Sequence, residues 1–289
     1  MTVKPQAALL PIPGPASNPA TIGNSPGGLD LTAEGVSALI ENILENELMG
    51  VTLPDDTGDF VPTYASRTIL ARLRVAVQEN FAFAIVHGPA GAGKTITTKW
   101  FVANGDHIWM RAHPEFSPPS LLDELAINLR MSRVRQFRSL IAMVKDALSL
   151  KPRVIVIDEA QLMGRETLET AKYLADETGS TFVLVTTDEF VGTIRRWRDI
   201  ESRVGVVAGI GPMPKAEFLA LYAESGFAKG TLEEIHALAG GIMRDILRLI
   251  RQVDYLVKAN AEKGLTRSAF TGAQVRVAAQ KLNLAGGRS

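Results

Sequence analysis

The sequence predicts an α/β protein in which a parallel sheet is sandwiched by helices and followed by a small α-helical bundle. Three observations predict it. A glycine loop, residues 88–95, stands between a short apolar run and a helical pattern. From there to Val207, apolar strand-like runs alternate with helical patterns, which is the mark of a parallel sheet. After Pro214 no strand signal remains and only helical patterns follow.

Composition bounds the reading. The chain has 289 residues, enough for one large domain or two small ones. It has no cysteine, which excludes a disulfide framework and a thiolate metal site and fits the cytoplasm. No apolar run approaches the roughly 18 residues needed to span a bilayer, so no membrane partner is expected. The front of the chain lacks a basic stretch leading into an apolar core, so no secretory signal is expected. His87, His107, His113 and His236 lack zinc spacing and read as structural.

The net charge is zero, but it is unevenly spread. Up to Phe60, Lys4 stands against Asp30, Glu34, Glu41, Glu45, Glu47, Asp55, Asp56 and Asp59. After Glu262 come Lys263, Arg267, Arg276, Lys281 and Arg288 without an acid. Such a basic tail is either a solvated end or a contact for a partner such as nucleic acid.

Taken in order, residues 1–28 are rich in Pro, Ala, Gly, Ser and Asn and read as a disordered tail. Residues 29–62 hold one helix, with Val36, Leu39, Ile40, Ile43, Leu44 and Leu48 at helical spacing, and a polar linker. The acids on its outer face argue against DNA and for docking on a neighbour or on its own domain. Residues 63–212 form the α/β core. A helix over 63–79 leads into a strand over 81–86. After the glycine loop come a helix over 95–102, a strand over 107–111 and helices over 120–129 and 136–150. Strands over 153–157, 181–186 and 204–207 alternate with helices over 166–176 and 190–198. Residues 213–262 form a helical lid, and residues 263–289 a basic helix and tail.

Two motifs carry chemistry. Gly88, Pro89, Ala90, Gly91, Ala92, Gly93, Lys94, Thr95 and Ile96 form a G-x-x-x-x-G-K-T loop between strand and helix. Its glycines let successive N–H groups turn inward, and with the helix N-terminus they hold phosphate oxygens. Lys94 adds a charge near the β- and γ-phosphates of ATP, and Thr95 offers its hydroxyl to Mg²⁺. The second motif is Val154-Ile155-Val156-Ile157-Asp158-Glu159, a buried strand ending in two acids. A strand of an open sheet delivers its C-terminal residues to the ligand crevice. There Asp158 holds Mg²⁺ and Glu159 orients and deprotonates the attacking water.

The glycine loop, the run Ile157-Asp158-Glu159-Ala160-Gln161 and the helical end together resemble an AAA+ ATPase. The resemblance implies further roles. Thr187, with Thr186 as second candidate, stands where the family carries a sensor at a strand end. Arg203 in Glu201-Ser202-Arg203-Val204 resembles the arginine finger that reaches the next subunit's nucleotide, with Arg195, Arg196 and Arg198 as rivals. Arg244 in Gly240-Gly241-Ile242-Met243-Arg244 resembles the lid sensor facing the nucleotide. Residues 63–257 are similar to the transposition-regulator branch of MuB, TnsC, TniB and IstB type. That branch implies a homo-oligomer, ring or helical filament, which forms on double-stranded DNA with little sequence reading, recruits and activates a transposase, and hydrolyses ATP. Lys99, Arg111, Arg133, Arg135 and Arg138 are the candidate DNA contacts, taken as one cluster. A helicase loader or initiator, or a nucleotide-switched scaffold, is the alternative.

Overall fold

The computed structural model describes residues 63–284, apart from positions 133, 261, 263 and 283. The expected tail, helix and linker of residues 1–62 lie outside the described residues, as do Arg133, Lys263 and Arg288.

The sheet has five parallel strands: β1 (Phe83–His87), β2 (Ile108–Arg111), β3 (Val154–Asp158), β4 (Thr181–Thr186) and β5 (Val204–Gly209). Their spatial order is β2-β3-β4-β1-β5. β3 and β4 are buried at every position, as the continuous apolar runs require when helices cover both faces. Alternate residues serve opposite sides. Phe83, Ile85, Ile155, Ile157, Phe182 and Leu184 pack under α3 (Pro118–Asn128), α4 (Phe137–Leu150), α5 (Arg165–Thr178), α6 (Asp188–Ile194) and α7 (Arg198–Glu201). Ala84, Val86, Val154, Val156, Val183 and Val185 pack under α1 (Tyr64–Gln78) and α2 (Lys94–Ala103).

α1 begins on a capping box: Ser66 N donates to Thr63 Oγ1 at 3.1 Å, and Thr63 N donates to Ser66 Oγ at 2.9 Å. The helix expected over 190–198 is two helices. The chain leaves helical geometry at Trp197 (φ −98°, ψ 81°), whose ring sets its edge against Phe190 at 6.2 Å.

The strand order decides where the chemistry falls. β4 lies between β3 and β1, so the tips of these strands stand side by side although their residues are far apart in sequence. The loop after β1, the acids after β3 and the threonines after β4 therefore share one crevice.

After Met213 the chain forms α8 (Lys215–Leu221), α9 (Lys229–Ala239), α10 (Met243–Ala259) and α11 (Gly272–Lys281). Phe218, Leu232, Ile235, Ile246, Leu249, Val253, Phe270 and Val275 make one apolar cluster. The boundary drawn between 262 and 263 from charge alone runs through this cluster, because α11 buries Val275 and Ala279 in it. Two arginines read as a free basic tail are tied down by acids from earlier in the chain. Arg267 Nε and Nη2 donate to Asp254 at 2.6 and 2.7 Å, Nη1 donates to Ser225 O at 2.7 Å, and the guanidinium lies 5.1 Å from the Phe227 ring centre. Arg276 Nε lies 3.1 Å from Glu234 Oε1. No helix among the described residues is long and apolar enough to cross a membrane.

Candidate nucleotide-binding site

β1 ends at His87, and the next residues turn back over the strand tip before α2 begins at Lys94. The turn needs glycine where it is tightest. Gly88 has φ +140°, and a Cβ there would run into the Ile210 carbonyl oxygen. Gly91 has φ +85°, and a Cβ would stand 2.9 Å from the Arg244 Cβ. The lid thus rests on the loop itself, and Arg244 N donates to Gly91 O at 3.1 Å. No side chain caps the start of α2, which leaves its first N–H groups to an anion in the cleft.

Lys94 Nζ donates to Gly88 O at 2.6 Å and Pro89 O at 3.0 Å. Burial pushes its ammonium below the ordinary lysine range, while Asp158, Glu159 and Asp188 pull the other way. Thr95 Oγ1 donates to Asp158 Oδ2 at 2.9 Å, across a gap of 63 residues. Asp158 is 4% exposed, and its Oδ1 accepts from Glu159 N at 3.0 Å. Among the described residues no group of three or more His, Cys, Asp or Glu could hold a metal alone. One hydroxyl beside one carboxylate suits Mg²⁺, which keeps waters and takes phosphate oxygens as further ligands.

Glu159 adopts the left-handed region, φ +56° and ψ 38°, which is costly for a residue with a Cβ and turns its side chain off the strand axis. Both carboxylate oxygens are engaged. Arg111 Nη2 lies 3.2 Å from Oε1, and Gln161 Nε2 donates to Oε2 at 2.5 Å. Gln161 Oε1 in turn accepts from Thr186 Oγ1 at 3.2 Å. Thr187 caps the start of α6 by position and also borders the cleft. The two threonines therefore differ: it is Thr186, the second candidate, that reaches the Glu159 network.

Gly91, Gly93, Lys94, Thr95, Asp158, Glu159 and Arg244 border one cleft of about 330 Å³ together with Gln161 and both threonines. Ala90 and Ile96 line it too. On the other side of the loop, Ala92 borders a second cavity of about 220 Å³. Thr63, Tyr64, Ile210, Pro212, Met213 and Met243 line this cavity, and Met243 is common to both. Sequence reasoning missed it. Its walls come mainly from the start of α1 and the end of β5, which carry no motif, closed by Ala92 of the loop and by Gly241 and Met243 of the lid. A flat apolar group attached to phosphates held by the loop would enter here.

Among the described residues, the candidate DNA contacts do not form one cluster. Lys99 lies on α2, with Nζ 4.2 Å from the Trp109 ring centre. Arg135 and Arg138 are exposed just before and within α4, on the opposite face of the sheet. Arg111 turns to Glu159, although its side chain is 64% exposed. Proximity in sequence hid the split, because the sheet separates α2 from α4. Arg203 Nε donates to Asp176 at 3.0 and 3.3 Å, and Arg196 Nη2 donates to Thr193 Oγ1 at 3.0 Å. Arg195 and Arg198 are exposed.

Comparison with known proteins agrees with this geometry. The AAA domain family matches residues 78–194. The chain is 30% identical over 133 residues to the Mu-like prophage FluMu DNA transposition protein B of Haemophilus influenzae, covering 45% of this chain and 46% of that protein. It is 28% identical over 155 residues to the ATP-dependent target DNA activator B of Escherichia phage D108, covering 53% and 49%. The matches thus span about half the length of each relative. Among solved structures, Cdc6p from Pyrobaculum aerophilum superposes with a TM-score of 0.58 at 18% identity, over 72% of this chain and 67% of that one. The Aeropyrum pernix ORC1 protein, solved in complex with DNA, gives 0.58 at 17% identity over 80% and 68%. At these identities the structures speak for the fold alone.

Proposed function

We propose that this chain is an AAA+ protein similar in type to the Mu transposition protein B, a DNA-binding ATPase that regulates a transposase. In this reading it binds duplex DNA when loaded with ATP, with little sequence preference, and oligomerises there as a ring or helical filament. It recruits and activates the transposase at that target. The observation that carries the reading is the Thr95–Asp158–Glu159 constellation beside the glycine loop, in a chain similar to a DNA transposition protein and a target DNA activator.

The residues divide the work. The loop and the start of α2 hold phosphates, and Lys94 exchanges its two loop carbonyls for phosphate oxygens. The cavity beside Ala92 takes the base. Thr95 and Asp158 hold Mg²⁺, which when bound offsets charge on the β- and γ-phosphates. Glu159 accepts a proton from water as the water oxygen bonds to the terminal phosphorus. The bond from that phosphorus to the departing diphosphate oxygen breaks. Thr186 is the better placed of the two threonines to sense the terminal phosphate. Arg244 closes the lid over the loop, and Arg203 reaches a neighbouring copy's nucleotide. Lys99, Arg135 and Arg138 contact DNA phosphates from two separate surfaces, which suits a polymer that presents different faces to one duplex.

Binding to random-sequence duplex DNA, measured with ATP, with ADP and without nucleotide at low and moderate salt, tests the proposal. Tight binding with ATP alone, weakening steeply with salt, is the expected result. Equal or absent binding in all three nucleotide states at both salts would overturn the DNA reading.

A further inference from the structure

We propose that Gln161 is a positioning residue that carries the state of the β4 tip to the Glu159 carboxylate; this rests on the ATPase reading above. Gln161 sits on the short turn after β3, Ala160–Leu162, and its amide is partnered at both ends. Its carbonyl oxygen accepts from Thr186, so its NH₂ group is the end that faces Glu159. Turning the amide over would set its carbonyl oxygen against the Glu159 carboxylate, acceptor against acceptor. Thr186 is 2% exposed, at the tip of β4 beside His87 of β1, where the glycine loop starts. A shift of Thr186 towards a bound phosphate therefore moves the Gln161 amide, and with it the carboxylate.

The two donors on Glu159 oppose each other. Gln161 borders the phosphate cleft, whereas Arg111 is not among the residues that line it. Arg111 draws Oε1 outward from the tip of β2, the edge strand, and Gln161 holds Oε2 inward. Without Gln161, Glu159 remains tethered to Arg111 alone and spends less time directed at water in the cleft. Binding of the nucleotide is untouched, because the loop, Lys94 and the base cavity do not involve Gln161.

The test is a set of three full-length variants, Gln161→Met, Thr186→Val and the double substitution, with ATP turnover and ADP retention in the presence of Mg²⁺ and aluminium fluoride as separate readouts. Gln161→Met keeps the side-chain volume, and the melting temperature reports whether each variant is folded. Each single variant is expected to lower kcat by about tenfold or more while KM and the affinity for ADP alone stay within about twofold. Retention of ADP with aluminium fluoride falls in parallel. The double variant is no slower than the slower single one, because the two groups act as one unit. A folded Gln161→Met protein with parental kcat and retention, or losses that multiply in the double variant, would overturn the proposal. A parent chain that turns over no ATP removes the ATPase reading and this inference with it. An active parent indifferent to Gln161 removes this inference alone.

Discussion

Arg111 Nη2 lies 3.2 Å from Glu159 Oε1, joining the tips of two adjacent strands, β2 and β3. The pair is exposed, so it is weak in itself, with a worth of under about 1 kcal/mol. In the proposal above its consequence is positional, because Arg111 does not line the cleft and holds one carboxylate oxygen towards β2. Arg111→Ala is expected to raise basal ATP turnover by about two- to fivefold, a change of about 1 kcal/mol or less in barrier. Steady-state hydrolysis without DNA checks this, and a large loss of turnover would contradict the outward pull.

Glu159→Gln keeps the shape of the side chain and removes its basicity. Turnover is expected to fall by roughly 10²-fold or more with ATP binding retained. Oligomers formed by this variant with ATP should persist where those of the parent decay. Hydrolysis at the parental rate would exclude Glu159 as the base.

Lys94 yields a prediction with opposite signs for binding and stability. Burial lowers its folded pKa below the unfolded value, so folding releases protons and the charged form is the strained one. That penalty is present at neutral pH and fades as pH rises towards the ordinary lysine value of 10.5. Lys94→Met should therefore abolish ATP binding while the melting temperature of the nucleotide-free protein at pH 7 does not fall. The margin over the parent should shrink above pH 10. Thermal melts across pH, beside an ATP-binding assay, check both signs.

Arg203 is held by Asp176, yet the pair is exposed on both sides and is released at little cost. Arg203→Ala should lose assembly-dependent hydrolysis, and mixing with a Lys94→Ala subunit should restore part of it. If Arg203→Ala turns over ATP normally, Arg195 and Arg198, both exposed, become the candidates.

Arg267 separates structure from nucleic-acid binding in the last part of the chain. Removing its paired bonds to Asp254 and its bond to Ser225 O should destabilise the lid by about 1–3 kcal/mol. Melting of Arg267→Ala reads that loss. The salt dependence of DNA binding should match that of the parent, because Arg267 is already neutralised within the lid.

The sequence by itself determined the glycine loop, the paired acids, the alternation of strands with helices and the helical end. Each of these is written in local chemistry: glycine spacing, apolar runs of strand length and helical periodicity are properties of neighbouring residues. Tertiary structure alone decided the rest. The strand order places Thr186 beside β1 and β3 and links it through Gln161 to Glu159, a choice no local pattern records. The sheet puts Lys99 on one face and Arg135 and Arg138 on the other, dividing what looked like one basic cluster. The cavity beside Ala92 is walled by the first described helix, the end of β5 and the lid, and Arg267 meets Asp254 of an earlier helix. Such contacts depend on which elements become neighbours in the fold. That is settled by burying both faces of the sheet and the lid cluster together, not by any residue's immediate neighbours.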